Sequence, residues 1–326
     1  MLAFIIRRFL IAIPLVIVSS FLVFIMVASS GTPQPLENAR LRPNPNPAQI
    51  RVLELRYHLD KPLVTRYWLW LKDAAHGDLG VDNNSRPVGG QLKQGMLVTL
   101  RLVVVALVIA ILIALVVGVV SALRQYSVFD YSSTFASFLF FSLPVFWLAV
   151  LLKEFGAIRF NNLIGHTWVY TVGEQSVRLP HSFWARMGDY AGHMVLPCLT
   201  LVLISFAQYS RFTRASMLET MNADYVRTAT AKGATRKRVV TRHALRNALI
   251  PVTTVVALDF GAVLGGAIIT ERVFQWRGMG TLLIRGVTQY DPNLVQGWLM
   301  VTAVTVVVFN LLADITYAWL DPRIRL

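Results

Sequence analysis

Few residues in this 326-residue chain are typed and spaced for chemistry, and most of them fall in one segment. Residues 211–247 carry nine lysines and arginines against two acids, Glu219 and Asp224. Within it "DYVRTATAK" puts Tyr225, Thr228, Ala229 and Lys232 at i, i+3, i+4 and i+7, which is one face of a helix. Gly233 then breaks that helix, because glycine takes backbone angles that other residues resist. Thr235 can cap a second helix in which Val239, Val240, His243 and Leu245 supply apolar bulk between arginines. Two short amphipathic helices joined at a glycine make a knob that fits a groove on a soluble partner, with arginines at the rim. A segment lying on the membrane explains the charge but not the glycine-broken pair.

The other candidates are fewer. Asp259 stands in an apolar run, where an ionised carboxylate costs about 2.5–3.5 kcal/mol on insertion scales. It must therefore face protein or a watery path, and its role is either in a pathway or interface or in structural pairing. Gly261 and Gly265 follow one turn apart, with Ala257 below them, and small residues so spaced allow close helix approach. His76 has no partner at ligand spacing and is read as a turn residue. Cys198, the single cysteine, permits no internal disulfide and is read as packing. No glycine-rich phosphate loop ending in Lys and Ser or Thr, no H-E-x-x-H and no G-x-S-x-G occurs. Catalytic, cofactor and metal sites are therefore expected to be absent, and any nucleotide energy must come from a partner.

The elements that must hold these residues are membrane helices. The chain is 55% hydrophobic and 15% charged, and its apolar residues are gathered into runs. Six stretches reach or approach the roughly 20 residues that cross about 30 Å of hydrocarbon: 9–28, 97–120, 131–152, 191–209, 249–269 and 295–319. The first follows Arg7 and Arg8 and is read as a retained anchor, not a cleaved leader. With those arginines inside, the cytoplasmic pieces are the N-terminus, the turn at Arg124, the 211–247 loop and the tail "DPRIRL". Residues 31–95 lie outside; they too carry nine basic residues, but spread over the segment with six acids. Their prolines at 33, 35, 43, 45 and 47 predict an extended or turning start, followed by two short helices broken at Pro62, and "HGDLG" predicts a turn. The net charge of +14 sits largely beside the spans, where anionic headgroups account for it, and nucleic acid is not expected as a partner.

Several stretches resemble one family. "RTATAKG", Arg227 to Gly233, followed after nine residues by "HALRNALIP", is similar to the EAA loop of binding-protein-dependent ABC importer permeases. Arg227, Thr228 and Ala229 stand where the general pattern has Glu-Ala-Ala, and Gly233 takes the glycine position. The general pattern ends in Ile-x-Leu-Pro, whereas His243, Ala244, Leu245 and Arg246 fill those positions here and proline arrives at Pro251, the variant of the dipeptide, oligopeptide and nickel branch. "RRFLIAIPLVIVSSFLVF" and "GDLG" resemble the opening and the external motif of its B-type subunit. "ERVFQWRGMGTLL" resembles a segment in which proline is usual at the position of Arg277. "YDPNLVQG" resembles D-Y-P-x-V-Q-G with one extra residue, and "DITYAWLDPRIRL" matches through Asp314, Tyr317, Asp321, Pro322 and Arg323.

The resemblance implies an all-α, polytopic integral membrane protein of six transmembrane helices with type I ABC importer permease architecture. Its parts would be a tail and first span at 1–30, an extracytoplasmic helical insertion at 31–95 and a core permease domain at 96–326. It implies a homologous second permease, two ATPase subunits that carry ATP and Mg, an extracytoplasmic substrate-binding protein, and peptide, nickel, haem or glutathione as cargo. Tyr225, Arg227, Thr228, Ala229, Lys232, Gly233, Val239, His243 and Leu245 would couple to the ATPases, and Asp259, Gly261 and Gly265 would line the pathway or the permease interface. The cell membrane of a bacterium or archaeon, with both termini inside, is the implied location. A secondary transporter or a non-transport membrane scaffold are the readings outside this family.

Overall fold

The computed structural model describes residues 2–178 and 180–320, with some side chains near 257–266 and 313–320 outside the description. The described residues are helical, with one isolated bridge between Val81 and Pro87. In order, the helices are α1 (Leu2–Ser29), α2 (Gln34–Arg40), α3 (Pro47–Arg56), α4 (Leu63–Ala75), α5 (Val88–Leu123), α6 (Val128–Ser142) and α7 (Val145–Lys153). A π-helical turn, Glu154–Arg159, leads to α8 (Phe160–Ile164). Then come α9 (Phe183–Met221), α10 (Asp224–Ala231), α11 (Arg236–Arg238), α12 (Leu245–Phe274), α13 (Met279–Thr288) and α14 (Pro292–Leu320).

Four stretches among the described residues are long and apolar enough to cross a membrane: Ile6–Arg40, Val88–Leu123, Phe183–Met221 and Pro292–Leu312. A fifth follows if the bent pair of α6 with the segment Val145–Ile164 counts as one span. The protein is thus an all-α, polytopic membrane protein. The bend corrects the expected straight helix over 131–152: the chain turns by 106° at Leu143–Pro144. Leu143 is extended, at φ −81° and ψ 130°, because a residue before proline is pushed out of the helical region. The fourth apolar stretch, 191–209, is part of a helix 39 residues long, about 58 Å at 1.5 Å per residue, so it carries Arg211 and Arg214 well past the apolar run. The start of the 31–95 segment is also helical, not extended. Pro35 falls in the first turn of α2, where its missing N–H costs no intrahelical bond.

The chain divides into two compact units. One is built on Thr99–Trp276 and the last part of α14. In it α9 is the central helix, packed against α6, α7 and α12. α5 approaches α9 at Gly118, where an added Cβ would come within 2.6 Å of Thr213 and 2.9 Å of the Ser210 carbonyl oxygen. The segment after α8 folds back on the start of α9: Tyr170 stacks on His193 with centroids 4.1 Å apart, and Asp189 accepts the Ser176 N–H at 2.9 Å.

The second unit is built on Leu2–Val98 and Arg277–Val307. α4 packs on α1 through Tyr67, whose ring meets Phe21 and Phe24 and whose hydroxyl donates to the Ile17 carbonyl at 3.0 Å. The stretch that follows "GDLG" meets the α13–α14 connection far along the chain. Asn83 N–H donates to Asp291 at 2.6 Å, the Asn83 amide to the Gln289 carbonyl at 2.8 Å, and the Asn293 amide to the Val81 carbonyl at 2.9 Å. Asp291 in turn caps α14 by accepting the Leu294 N–H at 3.1 Å. Burial raises its pKa above the usual carboxylate range, against the pull of those two N–H donors. Gln296 donates to the Ser20 carbonyl at 2.8 Å, and Gly297 leaves room for Val88 and Leu92. Asp291, Asn293, Gln296 and Gly297 of "DPNLVQG" thus each have a bonding or packing task, and Tyr290 just before it stands at φ 44°.

Candidate functional site

The basic segment is built on the end of α9. After Met221 the chain makes one turn and forms α10, as the face of Tyr225, Thr228, Ala229 and Lys232 predicts. Gly233 follows at φ +81°, the left-handed region in which other residues are strained. No heavy atom lies within 4 Å of where its Cβ would be, so the position demands glycine for backbone reasons alone. Thr235 Oγ1 accepts the Arg238 N–H at 3.4 Å and starts the next helix.

That next helix is not a separate short one. α11 passes into a π-helical stretch, Val239–Ala244, and from there without a break into α12. Between Ala234 and Ile250 no proline or glycine stops the helix, and the wide turn lets Val239, Val240 and Ala244 all point inward. Val240 and Ala244 join Ala122 of α5, Met217 of α9 and Ala248 of α12 in a buried cluster, and the Ser216 hydroxyl on α9 donates to the Ala248 carbonyl at 2.9 Å. The knob therefore has a rigid root in α5, α9 and α12 and a free end.

Its residues divide accordingly. Tyr225, Arg227, Thr228, Lys232 and Gly233 are exposed, Ala229, His243 and Leu245 are half-buried, and Val239 is buried in the root. Arg236, Lys237, Arg238 and Arg242 add exposed positive charge. The Arg227–Asp224 contact, at 3.9 Å between exposed groups, neutralises little of it. The arrangement offers an aromatic ring and several cations on a preformed turn, suited to an acidic-rimmed groove.

Sequence reasoning missed the clamp beneath the knob. Arg214 on α9 grips Asp130 at the start of α6 with two bonds, 2.6 and 2.8 Å. Asp130 is 2% exposed and also accepts from the Tyr126 N–H at 3.0 Å and from Ser121. The only advance signal is an acid one residue ahead of an apolar run and an arginine just past another. A second pairing is Asp259 with Tyr209: the phenol of α9 donates to the α12 carboxylate at 2.7 Å. The polar partner of Asp259 is thus in its own chain, one helix away. Gly261 lies on α12 and is partly covered. Gly265 is on described backbone, but its surroundings, like those of Ala257, Asp314 and Tyr317, lie outside the described residues, as do Asp321, Pro322 and Arg323 altogether. Among the described residues no group of three or more His, Cys, Asp or Glu is placed to hold a metal.

The fold and site thus define an all-α, polytopic membrane protein with one exposed basic turn rooted among its helices. Residues 110–326 match the family described as binding-protein-dependent transport system inner membrane component, and the chain belongs to that family. It is 37% identical over 322 residues to the oligopeptide transport system permease protein OppB of Mycobacterium tuberculosis (strain H37Rv), covering 98% of each chain. It is 35% identical over 338 residues to the dipeptide transport system permease protein DppB of Escherichia coli K12, covering 100% of this chain and 99% of that one. Among solved structures, a chain of the MetNI methionine ABC transporter in an inward-facing form shares the fold at a TM-score of 0.54, with 17% identity over 71% of this chain and 96% of that one.

Proposed function

We propose that this chain is one permease subunit of an ATP-driven importer of dipeptides or oligopeptides. The observation that carries the reading is near-end-to-end identity to permeases named for those cargoes. A homologous second permease would complete the pathway, an extracytoplasmic binding protein would deliver the peptide, and two ATPase subunits would hold ATP and Mg. The exposed face of α10 and the Gly233 turn would seat in the ATPases. Because the root of the knob is packed into α5, α9 and α12, movement of the seated end would shift those helices as a group, which is how nucleotide-driven closure would open and shut the gate.

In this reading six helices cross the membrane, α12 and the α6–α7 pair included, both termini are cytoplasmic, and 31–95 is an extracytoplasmic insertion that helps dock the binding protein. The core permease domain is 96–326, and the setting is a bacterial or archaeal cell membrane. The basic 211–247 segment supports this orientation. Asp259 would lie beside the pathway or the partner permease, held in orientation by Tyr209.

The test is uptake into proteoliposomes containing this chain, its partner permease and the ATPases. Labelled dipeptide and oligopeptide should accumulate only with ATP, the binding protein and all four subunits. Uptake that needs an ion gradient but no ATP would refute the proposal, as would a complex that forms but moves no peptide of any length.

A further inference from the structure

Arg66, on α4, is a partly buried cation whose guanidinium makes no ion pair or hydrogen bond among the described residues. Its Nε is fully covered without an acceptor, and its near neighbour is the ring of Phe24, 5.8 Å from Cζ. Burial lowers its pKa from the ordinary arginine value. A covered guanidinium N–H without an acceptor is costly, and an anion that reaches it gains charge-assisted hydrogen bonds.

Arg66 borders two cavities. The larger, about 360 Å³, has apolar walls that include Val27, Pro33, Leu59, Val287 and Val295. The other ionic groups lining it are already engaged: Arg40 pairs with Glu54 at 2.8 Å, and both Asp291 oxygens accept backbone N–H groups. The smaller cavity, about 130 Å³, sets Asp73 and Asp78 against Arg56 and Arg66, whereas the larger sets one carboxylate, Asp291, against Arg40 and Arg66 and so has the more positive lining. That leaves the larger cavity as the place for one.

The position of this cavity indicates the source of the anion. It is walled by the last turn of α1, Val27–Ser29, and by the first turn of α14, Pro292 and Val295, so it lies where two membrane-crossing helices meet water. On the far face of α4, two positions either side of Arg66, Val64 and Trp68 point outward, 66% and 65% exposed and one turn apart. A tryptophan with an apolar neighbour at that height is typical of a membrane interface.

We propose that the larger cavity binds the phosphate of a membrane phospholipid, with Arg66 as the donor and the apolar wall receiving the glycerol end of the acyl chains. The site is separate from the coupling knob and does not depend on which cargo is carried.

To test it, the full-length chain is purified in detergent, stripped of lipid and titrated with dihexanoylphosphatidylglycerol, inorganic phosphate or trialanine. Bound ligand is counted by native mass spectrometry and the melting temperature is recorded. The wild type should retain one lipid more than Arg66→Gln, and its lipid-dependent rise in melting temperature should be lost in that variant. Arg66→Lys should keep part of the effect. Val287→Trp, which fills the cavity from an exposed position and leaves Arg66 in place, should lose it. The lipid should bind at least tenfold more tightly than inorganic phosphate, because phosphate gains nothing from the apolar wall. Equal lipid retention in the wild type, Arg66→Gln and Val287→Trp would overturn the proposal, as would phosphate binding as tightly as lipid. Displacement of lipid by trialanine would assign the cavity to a peptide instead. Failure of Arg66→Gln to fold without lipid would show that Arg66 has a structural partner and would equally overturn it.

Discussion

Replacing Gly233 with valine isolates the turn of the basic knob from everything around it. The residue sits at φ +81° with open space where a Cβ would go, so a side chain meets no collision and the whole cost is backbone strain. For a β-branched residue in the left-handed region that strain is about 1–3 kcal/mol, while asparagine, which tolerates the region, incurs less. If the strain is relieved by reopening the turn, a cost of about 1–2 kcal/mol lowers the population of the docking-competent form about 5- to 30-fold. The root of the knob, the cluster around Met217 and Ala244, is untouched, so the membrane bundle should stay folded. The assay measures ATP-driven peptide uptake, ATPase rate and co-purification of the ATPases for Gly233→Asn, Gly233→Ala and Gly233→Val. Uptake per ATP hydrolysed should fall in that order, with normal amounts of folded permease. Wild-type uptake and co-purification in the valine variant would refute the reasoning, and so would asparagine proving worse than valine, since that order points to packing instead of backbone angle.

Removing Arg214 strands a carboxylate that is 2% exposed, so Arg214→Ala should destabilise the solubilised permease by about 3 kcal/mol, at the lower end of the range for broken buried pairs because the arginine itself is 28% exposed. Thermal unfolding checks this, and Arg214→Ala with Asp130→Asn together should cost less than the sum of the two. Asp259→Ala and Tyr209→Phe each remove one partner of the same 2.7 Å hydrogen bond and should lower transport in the same direction, with the double variant no worse than the more damaging single one. Additive losses would separate their roles, and wild-type transport in Asp259→Asn with normal assembly would leave the carboxylate without a special task. Pro45→Cys should react with an impermeant thiol reagent added from outside the inner membrane, against a low background because the native Cys198 is buried. Reaction only after that membrane is disrupted would reverse the assumed topology.

The apolar runs, the basic segment and the break at Gly233 are legible from the chain alone because each depends on near neighbours: run length, charge composition and the backbone freedom of one residue. Even where local reading went astray the cause was local, as in the bend before Pro144 and the helix α2 with Pro35 in its first turn. Partnership is different in kind. Asn83 and Asp291 are 208 residues apart, Arg214 and Asp130 are 84 apart, and Tyr209 and Asp259 are 50 apart. No period or composition connects such residues, because a hydrogen bond forms only once packing has brought donor and acceptor within about 3 Å. The same holds for the second helix of the knob. Its residues look like a short amphipathic piece, and only burial of Val240 and Ala244 against α5 and α9 turns it into the rooted beginning of α12. Local chemistry therefore marks a basic, glycine-broken turn, and three-dimensional packing decides which helices that turn is rooted in.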